Sequence, residues 1–143
     1  MILADVNVLL YAFRRDSPDH ERYRIWLESV INGAEAYGVA PQVLSSLVRI
    51  STHPRVYREP SSLEEALLFC RVLLRQPQAT IVTPLERHWG IFDDLCRAVN
   101  ARGNLVPDAW LAALAIEWGC EWITVDRDFA RFPGLRWRAP FSR

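Results

Sequence analysis

The 143-residue sequence contains no lysine, so every one of its 17 basic residues is an arginine. That absence excludes a lysine-based phosphate loop, Schiff-base chemistry and a lysine general base. Its three cysteines, Cys70, Cys96 and Cys120, are odd in number and widely spaced. They match neither a disulfide framework nor a zinc motif, and a reducing cytoplasm is the simplest setting for them. No apolar run approaches the roughly twenty residues of a membrane span. The opening Met1-Ile2-Leu3-Ala4 has no basic flank and stops at Asp5, so it does not read as a signal peptide. Acidic and basic residues cancel to a net charge of zero, which argues against a general nucleic-acid coat protein but not against local patches of either sign. Half of the residues are apolar, enough to build a core and too many for a disordered chain. The length suits one domain, spanning residues 1–143, and no linker, repeat or low-complexity segment divides it.

What is present is an alternation of short apolar runs and amphipathic segments. Met1 to Ala4, Tyr37 to Ala40, Ala79 to Val82 and Trp122 to Val125 read as strands, with Trp137 on a last edge strand. Helices are expected over Val8 to Phe13, Asp19 to Asn32, Pro41 to Thr52, Leu63 to Arg75, Glu86 to Ala101 and Pro107 to Trp118, the last closed by Gly119. Strands alternating with helices imply a parallel sheet covered on both faces, a three-layer α/β/α fold. In such sheets ligands gather outside the carboxyl ends of the strands.

Asp5 and Asp126 each follow a strand and so fall on that edge. Asp at a strand-to-helix junction also serves as a helix cap, and both readings stand for Asp5. Asp108 lies in a helix first turn but shares a stripe with Leu111, Ala112 and Ala115, which aims it inward. A carboxylate facing the interior needs a partner, usually a cation. Three converging carboxylates without His or Cys favour Mg²⁺ or Mn²⁺, and such a site suits phosphodiester hydrolysis. Arg127 reads either as a phosphate contact or as charge balance between Asp126 and Asp128. The histidines His20, His53 and His88 show no ligand spacing and read as loop or surface residues; Glu117 reads as structural or surface.

These residues also carry a resemblance. The opening hydrophobic-Asp5-x-Asn7, the run Arg102-Gly103-Asn104-Leu105-Val106 leading into Pro107-Asp108-Ala109-x-Leu111-Ala112, the middle segment Leu47 to Tyr57 and the closing Thr124-x-Asp126-Arg127-Asp128-Phe129 together resemble PIN-domain ribonucleases. The similarity is to the VapC-type toxins of bacterial toxin–antitoxin pairs, and it covers the chain from Met1 to about Pro140. It implies a cytoplasmic, Mg²⁺-dependent endoribonuclease with Mn²⁺ as an alternative ion. Asp5 and Asp108 would be direct ligands and Asp126 a direct or water-mediated one, supported by Asn7, Asp128 and Ser46. It also implies a small antitoxin partner, an RNA substrate, and a homodimer or toxin–antitoxin hetero-oligomer. One position departs from the pattern: where the family carries a glutamate on the helix from Gln42 to Ser51, this chain has Ser46, and Glu86 is an alternative source of that charge. Two other functions are expected to compete, a catalytically weak module that binds its partner or RNA, and a phosphatase with Asp5 as nucleophile. The phosphatase reading is weakened by Asn7, where a second aspartate would be needed, and by the missing lysine.

Overall fold

The computed structural model describes residues 1–141. Five strands, β1 (Ile2–Ala4), β2 (Tyr37–Val39), β3 (Ala79–Ile81), β4 (Glu121–Ile123) and β5 (Trp137–Arg138), form one parallel sheet in the order β3-β2-β1-β4-β5. Six helices cover it: α1 (Val6–Phe13), α2 (His20–Ile31), α3 (Pro41–Ser51), α4 (Leu63–Leu74), α5 (His88–Val99) and α6 (Leu105–Trp118). The expected three-layer α/β/α architecture is what the chain adopts. Boundaries move by a residue or two, as helix and strand ends commonly do. Two of these shifts matter for the site: β4 stops at Ile123, leaving Thr124 and Val125 beyond it, and α6 begins at Leu105 rather than at Pro107.

The chain builds outward from β1 in both directions. It runs through β2 to β3 on one side, then crosses back to place β4 and β5 on the other. The reversal falls between β1 and β4, and the crevice outside the carboxyl ends of two such strands is where open α/β sheets bind ligands. β1 and β4 are in register from Ile2–Glu121 to Ala4–Ile123, and the Asp5 amide donates to the Ile123 carbonyl at 2.9 Å. The residues after these two strands, Asp5 and Thr124, therefore stand side by side although 119 positions separate them.

Buried Leu3, Val8, Leu47, Trp122, Ile123 and Phe129 belong to a single core. Helix α6 is apolar nearly all round and buries Ala109, Ala112, Ala113, Leu114 and Ala115. Such a helix belongs to an interior, and its small residues let it approach closely. His88 is a correction to the surface reading: it starts α5 fully buried, its Nε2 3.0 Å from the Trp110 carbonyl, within an aromatic cluster with Phe92 and Trp110. Glu117 is structural, its carboxylate accepting from the amides of Leu85 and Arg87 at 2.7 and 2.8 Å.

Gly38 sits mid-strand because nothing larger fits there. A Cβ at this position would lie 2.9 Å from Val82 Cγ2, 3.1 Å from Leu3 Cδ1 and 3.2 Å from the Ile2 carbonyl oxygen. The last of these is backbone of the central strand and cannot turn aside. Gly38→Ala is expected to lower stability by about 1–3 kcal/mol, the usual cost of overpacking a core. Urea unfolding should show a lower midpoint at unchanged slope.

Candidate functional site

The site begins with one buried hydroxyl. Thr124 Oγ1 donates to Asp5 Oδ2 at 2.7 Å and accepts from Asn7 Nδ2 and from the Asp126 amide, each at 3.1 Å. One donor and two acceptor positions are all a threonine hydroxyl has, and all three are used. Sequence reasoning missed this residue, noting Thr124 only as part of a motif. The available signal was a hydroxyl closing an otherwise apolar strand run.

Asp5 carries both of the roles expected of it. Its Oδ1 accepts the Val6 amide at 2.7 Å and so caps α1, while Oδ2 receives Thr124 and, at 3.3 Å, Asn7 Nδ2. Oδ2 is saturated, and Oδ1 keeps one lone pair. Asn7 lies inside α1 rather than at its cap, with its amide turned toward the acids. Its Oδ1 is buried without a hydrogen-bond partner among the described residues. Such an atom is costly to leave unpaired, and its presence here marks a place meant for a donor or a cation.

Asp126 follows Thr124 and opens a short 3-10 turn, Arg127–Arg131, its carboxylate accepting the Asp128 amide at 2.9 Å. Asp108 faces this group from the first turn of α6 and is half-buried. Burial, then the charges of Asp126, Asp5 and Asp128, push the Asp108 carboxyl up to about 6. Burial also raises Asp5, opposed by its hydrogen bonds from Thr124 and Val6 and reinforced by the charge of Asp126. Asp108 thus feels the charges of the other three aspartates, and Asp5 feels that of Asp126.

Hard, mutually repelling oxygen donors and a buried unpaired amide oxygen are the chemistry that a hard divalent cation satisfies. Among the described residues, however, no three His, Cys, Asp or Glu side chains stand close enough to hold an ion as they are. Ser46 lies half-buried on α3, and among the described residues no hydrogen bond joins it to Asp5 or Asp108. Glu86 is exposed, between two residues whose amides are bound to Glu117. Glu117 lies nine positions beyond Asp108, about 13 Å along α6, which sets Glu86 apart from the acids. Asp93 is paired with Arg97 on α5 at 2.6 Å.

Residues 2–135 match the PIN-domain family. VapC ribonuclease Mb2897 of Mycobacterium bovis is 44% identical over 142 residues, covering 99% of this chain and 97% of that protein. Ribonuclease VapC25 of Mycobacterium tuberculosis is 38% identical over 136 residues, covering 95% and 96%. Among solved structures, VapBC-1 from nontypeable Haemophilus influenzae aligns with a TM-score of 0.71 at 18% identity, covering 98% of each chain, a likeness of fold.

The raised Asp108 carboxyl has a consequence for stability. Between its ordinary range near 4 and about 6, the folded chain holds a proton that the unfolded chain has released. Stability should therefore fall as pH rises through that window when divalent ions are chelated. Asp108→Asn removes the cost of burying the charge and the repulsion from its neighbours, and is expected to stabilise the protein at pH 7 by about 2 kcal/mol, with little effect near pH 4. Urea unfolding of both proteins in a chelator at the two pH values measures this.

Proposed function

Because the chain belongs to the VapC ribonucleases of the PIN-domain family, we propose that it is a divalent-metal-dependent endoribonuclease acting as the toxin of a toxin–antitoxin pair. The supporting observation is the bond between Thr124 and Asp5 at the sheet's switch point, with the Asp126 amide on the same hydroxyl and Asp108 within reach of the charges of both acids. Asp5, Asp108 and Asp126 would hold Mg²⁺ or Mn²⁺, with Asp128 adding charge. When bound, the ion supplies a Lewis acid that activates water and steadies negative charge on the phosphodiester. Asp5 offers the free lone pair of Oδ1, because its other oxygen is committed to Thr124 and Asn7. Asn7 Oδ1 is placed to accept a hydrogen bond from water or from the ribose. Asp108 and Asp126 would supply the remaining carboxylates, and a bound cation would relieve their repulsion.

Unpaired RNA suits a cleft of this kind better than a duplex, since its backbone enters alone. The partner is an antitoxin, in keeping with the VapBC complex to which the fold is similar. An arginine from such a partner, inserted among the acids, would satisfy them in the metal's place. A phosphatase reading finds no support, since Asn7 cannot serve as a general acid and its amide is bound to Asp5 and Thr124.

Asp5→Asn and Asp108→Asn are each expected to abolish RNA cleavage while keeping the fold. Ser46→Glu should lower the metal concentration required, because one more carboxylate beside the aspartates adds an attraction on the order of a few kcal/mol at partly screened separations, partly offset by repulsion from Asp5 and Asp108. Ser46→Ala should change the requirement little. Metal titrations on one RNA substrate compare all of these proteins. Near-parental cleavage by either aspartate variant would remove that residue from the site, and an inactive parent would leave a module that only binds.

Expression of the chain alone should arrest bacterial growth, and co-expression of a cognate antitoxin should relieve the arrest. The measurement is colony formation with and without induction. Harmless accumulation of folded, cleavage-competent protein would overturn the toxin role.

A further inference from the structure

The acids share their edge of the sheet with a cleft of about 390 Å³ whose walls come from the start of α2, from the chain after β4 and from β5. Thr124, which anchors the acids, is also part of this wall, so the two places adjoin. Asp19 and Tyr23 stand on the α2 side, Arg127 and Trp137 on the other. The sequence leaves Arg127 two roles, and the structure separates them. If it balanced its neighbours it would be paired with them. Instead the Asp126 carboxylate takes the Asp128 amide, and the exposed guanidinium of Arg127 makes no ion pair or hydrogen bond among the described residues. Arg138, in the same cleft, differs in having an ion pair: its Nε donates to Glu121 and its Nη1 to the carbonyls of Ala139 and Pro140.

We propose that this cleft is a phosphate-binding subsite for the nucleotide next to the scissile bond, with Arg127 as its grip, so that RNA leaves the acidic centre between α2 and β5. The inference rests on the ribonuclease reading and adds to it the path of the strand. The electrostatic need is plain. Four carboxylates repel a polyanion, and a guanidinium fork beside them offers paired donors that match phosphate oxygens. Asp19 limits the position. Its backbone takes a left-handed conformation at φ 57°, its side chain makes no capping bond, and it faces the cleft from the opposite wall. A phosphate is therefore held toward Arg127 and away from Asp19.

The test uses the full chain carrying Asp108→Asn to stop turnover, a fluorescent single-stranded oligoribonucleotide, and anisotropy across a salt series. Adding Arg127→Ala should weaken binding about tenfold and reduce the slope of log K against log salt by about 0.7, the loss of one phosphate contact. Arg127→Lys should keep the slope while recovering only part of the affinity. Asp19→Asn should act in the opposite direction and tighten binding about threefold, as removal of one screened like charge does. Unchanged affinity and slope in Arg127→Ala, with RNA still bound, overturn the subsite and leave the ribonuclease reading intact. Failure of the reference protein to bind RNA at all overturns both. If Arg127→Ala shifts the unfolding midpoint, the Arg127→Lys slope decides: a slope reduced as far as that of alanine overturns the subsite.

Discussion

The hydroxyl of Thr124 is the point on which the candidate site depends. It is buried, it has three hydrogen-bonding positions, and each is filled by a different part of the site: a carboxylate after β1, an amide inside α1 and a backbone N–H after β4. Because the three bonds saturate the group, none can shift without leaving a buried polar atom unpaired. Asp5 and Asp126 are accordingly placed by strand register and backbone rather than by long side chains free to wander. The surrounding apolar packing of Trp122, Ile123 and Phe129 keeps water from competing for the same bonds.

Against this order stands the repulsion among the aspartates, and it is distributed unevenly. Asp5 is the more deeply buried, yet its cost is moderated by two close donors. Asp108 receives no such help and bears the charges of three neighbours. One carboxylate is thus fixed by its donors although burial raises it, and the other, pushed up to about 6, is held by no donor among the described residues. Sites that retain such tension sacrifice stability for function, and the close-packed alanine stripe of α6 helps offset it.

Much of this was legible in the chain. Asp5 and Asp126 could be placed at one edge from period and punctuation alone, because a short apolar run ending in a carboxylate specifies both a strand and the position after it. Asp108 was legible from its stripe on α6. Thr124 was not, since a threonine at the end of a strand run has the strand propensity of its neighbours and nothing local reveals a bond to residue 5. His88 was misjudged for a related reason: its burial comes from Trp110 and Phe92, packed through tertiary contact that spacing does not encode. For Arg127 the two acids beside it in sequence suggested pairing, whereas the 3-10 turn directs one of them to a backbone amide instead.

The strand order carries a consequence for how the molecule comes into being. β1 lies in the middle of the sheet, and its neighbour β4 follows it by more than a hundred residues. Non-local pairings of this kind form late, because a long loop must close before they return any stabilisation. A ribosome extending this chain could release Asp5 early, but the hydroxyl that holds it does not exist until residue 124 is added. Chains that stop short of residue 124 would therefore lack the hydroxyl that positions Asp5, and the candidate site assembles only after β4 has been made.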